Sequence, residues 1–189
     1  MYDVGKPSIP TGRRIGRRPV FGFASHMNND SSRPVNIRIA IDDDRPRLVA
    51  MINAAFAIET FLEGTRTDDV RLASMMQRGE ILLAENAHRQ LLACIYVENR
   101  GNRGYLGMLA VHPAHQRSGL GQKMLAAAEN RFRAQGCEAV DISVLSLRPE
   151  LLPIYQRFGF VETGTEEFAM SRELKDGREC HCIVMSKQL

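Results

Sequence analysis

The residues of this chain best suited to chemistry are Gln116-Arg117-Ser118-Gly119-Leu120-Gly121. Gly119 and Gly121 lack a Cβ, so a ligand can approach the main chain closely. A helix that begins here presents unpaired N–H groups and the positive end of its dipole, which together attract phosphate. Arg117 adds a formal charge. The chemistry on offer is anion binding by backbone amides. A strand–loop–helix turn with glycines for tight packing would use the same residues, so the surroundings must decide. The pattern G-x-x-x-x-G-K-[ST] is absent, and G-x-G-x-x-G fails at its third glycine, where Met124 stands.

The elements around the loop are legible. Tyr105, Leu106, Met108, Leu109 and Val111 form a short apolar run, which predicts a strand buried on both faces. Pro113 stops it. From Leu120 the apolar residues Met124, Leu125, Ala128 and Phe132 recur at helical spacing, and Gly136 supplies the stop. Before this unit, 35–41 alternates as a first strand. Asp42-Asp43-Asp44 then leads into a helix with Leu48, Met51, Ile52, Ala55 and Phe56 on one face, as caps rather than metal ligands. A loop over 59–69, a second helix over 70–78, and strands over 81–85 and 90–98 follow. After it come a strand over 139–145, a short helix over 151–158, a strand around 161–163 and a last strand over 180–187. This order predicts a mixed α/β sheet with helices on both faces.

Gln/Arg-x-x-Gly-x-Gly/Ala between an apolar strand and a helix resembles motif A of the GNAT superfamily of acyl-CoA-dependent N-acyltransferases. Gln116, Gly119 and Gly121 fill its defining positions, Leu109-Ala110-Val111 matches the preceding strand end, and His112-Pro113 matches the turn. Ile154-Tyr155-Gln156-Arg157-Phe158-Gly159-Phe160 resembles the late Y-x-x-x-G-F signature. The resemblance spans roughly residues 36–189 and is closest to small, single-domain bacterial members. It implies the GNAT fold, a mostly antiparallel sheet with a splayed central strand pair. It also implies an N-acetyltransferase that passes an acetyl group from acetyl-CoA to a primary amine by direct attack in a ternary complex, without a metal.

The resemblance further implies roles. The pantetheine arm of acetyl-CoA would lie along Leu109, Ala110 and Val111, and its diphosphate on the amides of Arg117, Ser118, Gly119, Leu120 and Gly121, with Gln116 also among the cofactor-binding residues. Gly107 is the expected bulge that opens the strands. An N–H near Leu109 or Ala110 would donate to the thioester oxygen. Tyr155 matches the tyrosine that protonates the departing thiolate. Reference pKa values of about 10 for tyrosine and about 8.5 for a thiol make full transfer uphill by roughly 2 kcal/mol, so a hydrogen bond to the developing thiolate suffices.

Two departures stand out. Many relatives carry a glutamate on the strand before motif A, but 104–111 contains no carboxylate. Glu98, Glu59 or water is then the acceptor's base. Arg148 stands where relatives often have asparagine. It cannot accept a hydrogen bond, and it suits the 3′-phosphate or an acceptor carboxylate, as Arg66 suits the latter. Salt bridging is the structural alternative for both arginines.

Composition bounds the remainder. The 189 residues are 44% hydrophobic and 25% charged, as in an ordinary globular protein. No apolar run is long enough to span a membrane, and no secretory signal is visible. Four cysteines do not make a disulfide scaffold, so a cytoplasmic setting is expected. Cys180-His181-Cys182 has its histidine opposite its cysteines on a strand and lacks a fourth ligand, so it reads as structural. The net charge of +3 resides in residues 1–34, which read as a flexible basic leader ahead of an acetyltransferase domain over 35–189. Without the leader the body is slightly acidic, which argues against a nucleic-acid partner. A non-catalytic CoA-binding module is the alternative function, and a homodimer stays open.

Overall fold

The computed structural model of the protein describes residues 35–168 and 173–189. The expected leader, residues 1–34, lies outside them. The strands are β1 Asn36–Ile39, β2 Glu80–Glu85, β3 Leu91–Arg100, β4 Arg103–Val111, β5 Ala139–Leu145, β6 Val161–Glu167 and β7 His181–Gln188. They form one sheet in the order β1-β2-β3-β4-β5-β7-β6. Only β4 and β5 run parallel; the other pairs are antiparallel. The helices are α1 Arg45–Ala55, α2 Asp69–Arg78, α3 Leu120–Ala134 and α4 Leu152–Arg157. This is the mixed, mostly antiparallel α/β architecture expected from the sequence.

Each helix has a local reason to begin where it does. A 3-10 turn over Asp42–Asp44 leads into α1, whose first turn holds Pro46. Asp68 caps α2 by accepting the Arg71 N–H at 2.8 Å. Apolar spacing then decides the packing. On one face of the sheet, Met124, Ala128 and Phe132 of α3 meet Val97, Leu106 and Val140. On the other, Leu48 and Ile52 of α1 and Leu72 of α2 meet Ile81, Leu83 and Tyr96. Alternating residues of β3 therefore enter opposite cores, which is why that strand reads as one apolar run. Burying each large apolar side chain contributes about 1.5–3 kcal/mol.

The centre of the sheet is open. β4 pairs with β5 only from Arg103 to Leu106, opposite Ala139 to Ile142. Beyond that point β5 continues alongside β7 as far as Leu145, while among the described residues β4 keeps only β3. The β3–β4 register also slips: Tyr96 faces Gly107 and Cys94 faces Ala110, so Met108 and Leu109 together oppose Ile95. Met108 takes φ +50°, in the left-handed region. The bulge therefore falls one residue beyond Gly107, where residue type had placed it. A bulge of this kind sharpens the local twist and turns the end of β4 away from β5. At the closed end, Arg103 Nε donates to Asp141 Oδ2 at 2.6 Å and clamps the two strands.

Candidate active site

The loop after β4 is built to leave its amides unused. His112 Nδ1 accepts from Ala114 N, Ser118 Oγ donates to the His115 carbonyl at 2.6 Å, and Gln116 N bonds back to Pro113 O. Arg117 and Gly119 take φ +62° and +82°. The next main-chain N–H with a partner is Lys123, which donates to Gly119 O at 3.1 Å. Among the described residues, the amides from Arg117 to Gln122 find no protein acceptor. α3 has no side-chain cap, since its N-cap is Gly119. A run of undonated N–H groups at a helix start, with left-handed residues among them, is an anion cradle. Added carbon at Gly119 would meet nothing within 4 Å, and at Gly121 only Val111 Cγ2 at 3.9 Å, so the cradle stays open to a ligand.

That cradle opens into a cavity of about 530 Å³, a size usual for small-molecule sites. The cavity passes through the gap between β4 and β5. Its walls include Leu106, Leu125 and Ile142 on the α3 side, and Ala55, Phe56 and Gly107 on the α1 side. Of the residues expected to contact acetyl-CoA, Leu109, Val111, Gln116, Arg117, Gly119, Leu120 and Gly121 line it. Ala110 is 1% exposed and packs in the α1-side core, and Ser118 turns back to its own loop. Those two could serve only through their backbones.

Tyr155 of α4 lines the same cavity and packs edge-on against Phe160, with ring centres 5.8 Å apart. Among the described residues its hydroxyl has no hydrogen-bond partner. Burial pushes its phenol above the ordinary tyrosine value, and the nearby Arg148 charge pulls it partly back. A neutral hydroxyl in the cavity wall, unpartnered among the described residues, is equipped to donate one hydrogen bond to a group that becomes negative.

The far wall carries charge. Glu59, 5% exposed, is the single carboxylate lining the cavity among the described residues. Arg66 Nη1 reaches its Oε2 at 3.1 Å, and Arg148 Nη1 reaches its Oε1 at 3.2 Å. Arg66 also lies 4.5 Å over the Phe56 ring. The sequence offered Glu59, Arg66 and Arg148 as separate candidates; the fold joins them into one cluster. Glu98, the other proposed base, does not line the cavity. It accepts from Tyr96 Oη at 2.8 Å and from Arg100 Nε at 3.0 Å. His115 lines the cavity, with its ring 5.6 Å from that of His112. His181 is exposed and Cys182 buried, and among the described residues no three potential ligands gather around a point that could hold a metal.

No local signal could have joined Glu59 to Arg148, since 89 residues separate them. Only the strand order brings the α1–α2 loop to the end of β5.

Comparison with known proteins agrees with this fold. A family model described as an acetyltransferase (GNAT) domain matches residues 49–171. A mycothiol acetyltransferase of Saccharopolyspora erythraea is 27% identical over 127 residues, 65% of this chain and 42% of the relative. The chain thus spans less than half the length of that relative. Among solved structures, a Salmonella typhimurium protein with its cofactor acetyl-CoA superposes with a TM-score of 0.65 at 22% identity, covering 82% of this chain and 94% of that one. The ribosomal-protein-S18-alanine N-acetyltransferase of Escherichia coli gives 0.63 at 21%, with coverage of 82% and 94%. These two likenesses concern the fold. Among the described residues, no helix is long and apolar enough to cross a membrane.

Proposed function

The chain belongs to the GNAT acetyltransferase family, and from that premise we propose that it transfers an acetyl group from acetyl-CoA to a primary amine by direct attack. The observation that carries this reading is the single cavity that joins undonated amides at the start of α3, through the β4–β5 gap, to the hydroxyl of Tyr155.

The residues present suit acetyl-CoA. The amides of Arg117 to Gln122 hold its diphosphate, with Gln116 and the Arg117 charge at the mouth. The open edge of β4 over Leu109, Ala110 and Val111 takes the pantetheine arm, which Leu106, Leu125 and Ile142 enclose in apolar surface. The cosubstrate supplies an acetyl thioester. The register shift at Met108–Leu109 takes one residue out of the regular β3–β4 pairing, and an amide of that bulge is the donor we assign to the thioester oxygen. Tyr155 donates to the sulfur as the carbon–sulfur bond breaks. With its pKa raised, it acts through that hydrogen bond rather than through full proton loss.

Glu59 braces Arg66 and Arg148, since each of its oxygens already accepts from a guanidinium. The amine therefore sheds its proton to water; a peptide-type α-amine of pKa near 8 needs little help, and a more basic amine reacts through its smaller neutral fraction.

The test is calorimetry with coenzyme A on the full chain, followed by thiol release with acetyl-CoA and a panel of amines. Binding with amine-dependent thiol release is the expected result. Binding without any turnover would make the chain a CoA-binding module, and no binding would overturn the reading entirely.

A further inference from the structure

The acceptor end of the cavity is lined by Glu59, Arg66 and Arg148, and the Arg148 guanidinium is incompletely used among the described residues. Arg148 donates from Nε to Glu150 Oε1 at 2.5 Å and from Nη1 to Glu59 Oε1 at 3.2 Å. Its third nitrogen, Nη2, has no hydrogen-bond partner among the described residues. The side chain is only 14% exposed and lines the cavity together with Tyr155. Two anchoring carboxylates fix the guanidinium plane, so little side-chain entropy remains to be lost on binding an anion. A buried, oriented donor of this kind is costly unless an acceptor meets it.

Resting on the acetyltransferase reading above, we infer that the acceptor is an amine bearing a carboxylate, of the amino-acid class, whose carboxylate docks on Nη2 of Arg148. Arg66, paired with Glu59, lies on the same wall. It sits over Phe56, whose ring covers the apolar part of the acceptor. A carboxylate fits better than the cofactor's diphosphate, which has the amide cradle at α3, whereas Arg148 is tied to the α1–α2 loop through Glu59. The acetyl-CoA affinity of an Arg148 variant tests the 3′-phosphate. Arg148, Tyr155 and the bulge residues Met108 and Leu109 line one cavity, so an acid docked at Arg148 keeps its amine in the space where the thioester carbon is expected.

The experiment compares amino acids with their amides on the full chain, at matched concentrations of neutral amine. Thiol release with acetyl-CoA and calorimetry on the CoA-loaded protein are both read. The expected outcome is that acids exceed amides by about 10- to 100-fold in kcat/KM, the worth of one hydrogen bond to a charged group. Arg148→Ala abolishes that preference through KM, and Arg148→Lys restores part of it. Acetyl-CoA affinity changes little in either variant. Equal use of acids and amides by the unaltered protein overturns the proposal and leaves the acetyltransferase reading standing. Weaker acetyl-CoA binding in Arg148→Ala with the acid preference intact also overturns it, by giving Arg148 to a cofactor phosphate. Selective binding of acids without thiol release upholds the carboxylate site and sinks the acetyltransferase reading. Binding of neither series overturns the proposal.

Discussion

The ring of Phe132 occupies the space in which a side chain on Gly104 would begin. A Cβ there would stand 2.6 Å from Cγ and Cδ1 of the ring. Phe132 is fully buried in α3, and Gly104 lies on β4, so this contact sets how closely the helix rides on the strand. Gly104→Ala should therefore push α3 outward and cost about 1–3 kcal/mol, the usual penalty of an overpacked core. Urea melts measure that loss. Because α3 carries the amide cradle, coenzyme A affinity should fall as well. A variant as stable as the parent would show that the helix tolerates the displacement.

Gly121 separates folding from binding. Its Cβ would meet only Val111 Cγ2 at 3.9 Å, and its φ is not positive. Gly121→Ala should leave stability unchanged or raise it by up to about 1 kcal/mol, since alanine favours a helix. It should nonetheless weaken coenzyme A binding about tenfold or more, by standing where the diphosphate must approach the amides. Gly119→Ala should instead cost about 1–2 kcal/mol of stability, because φ is +82° there. Calorimetry and thermal melts on the two variants read these opposite patterns. Unaltered affinity in Gly121→Ala would place the diphosphate elsewhere.

The contrast between these glycines marks what the sequence could disclose. Ala139–Leu145 was readable as a strand to the residue, because its apolar pattern reflects burial on both faces. The start of α3 was readable from the period that begins at Leu120. The bulge was not. Glycine at 107 drew the expectation, yet Met108 bears the left-handed backbone, because the register of β3 imposes it rather than local preference. Likewise β6 runs on to Glu167, beyond the short strand around 161–163. All its residues are exposed, so no alternation announced its length. Glu59 and Glu98 looked equivalent as bases until the fold put one in the cavity wall and tied the other to Tyr96 and Arg100.

Acid should loosen the β1–α1–β2 corner first. Asp44 and Glu85 are each 5% or less exposed and share Arg38 and Arg47. The Arg38 hydrogen bond holds the Asp44 carboxyl far below the usual carboxylate range. Burial works against the charge of Glu85, but its bonds to Arg38 and Arg47 outweigh this and lower its pKa too. Both folded values lie below the unfolded ones of about 3.9 and 4.3, so their contribution is complete above about pH 5 and is lost as pH falls further. Asp44→Asn should cost roughly 3 kcal/mol at neutral pH, the low end for a broken buried pair, because the arginines remain 26% and 32% exposed. It should also flatten the acid limb of the stability curve. Denaturant melts from pH 3 to 7 check both, and an unchanged acid limb would assign that limb to other groups.

Removing the Tyr155 hydroxyl should separate chemistry from binding. Tyr155→Phe keeps the edge contact with Phe160 and deletes only a donor that has no partner among the described residues. kcat should fall about 100-fold, the lower range for a positioned acid, while coenzyme A affinity holds. The pH profile gives a second readout. Burial raises the phenol above the ordinary tyrosine value, so its ionisation can end activity only at a pH above about 10. The unaltered protein should thus show no loss of kcat from Tyr155 between pH 7 and 10, where a free phenol would already begin to ionise. A Tyr155→Phe protein with undiminished turnover would hand the thiolate's proton to water. A limb near pH 8 that vanishes in that variant would mean the phenol is ionised there, and Tyr155 would then act as base and not as donor.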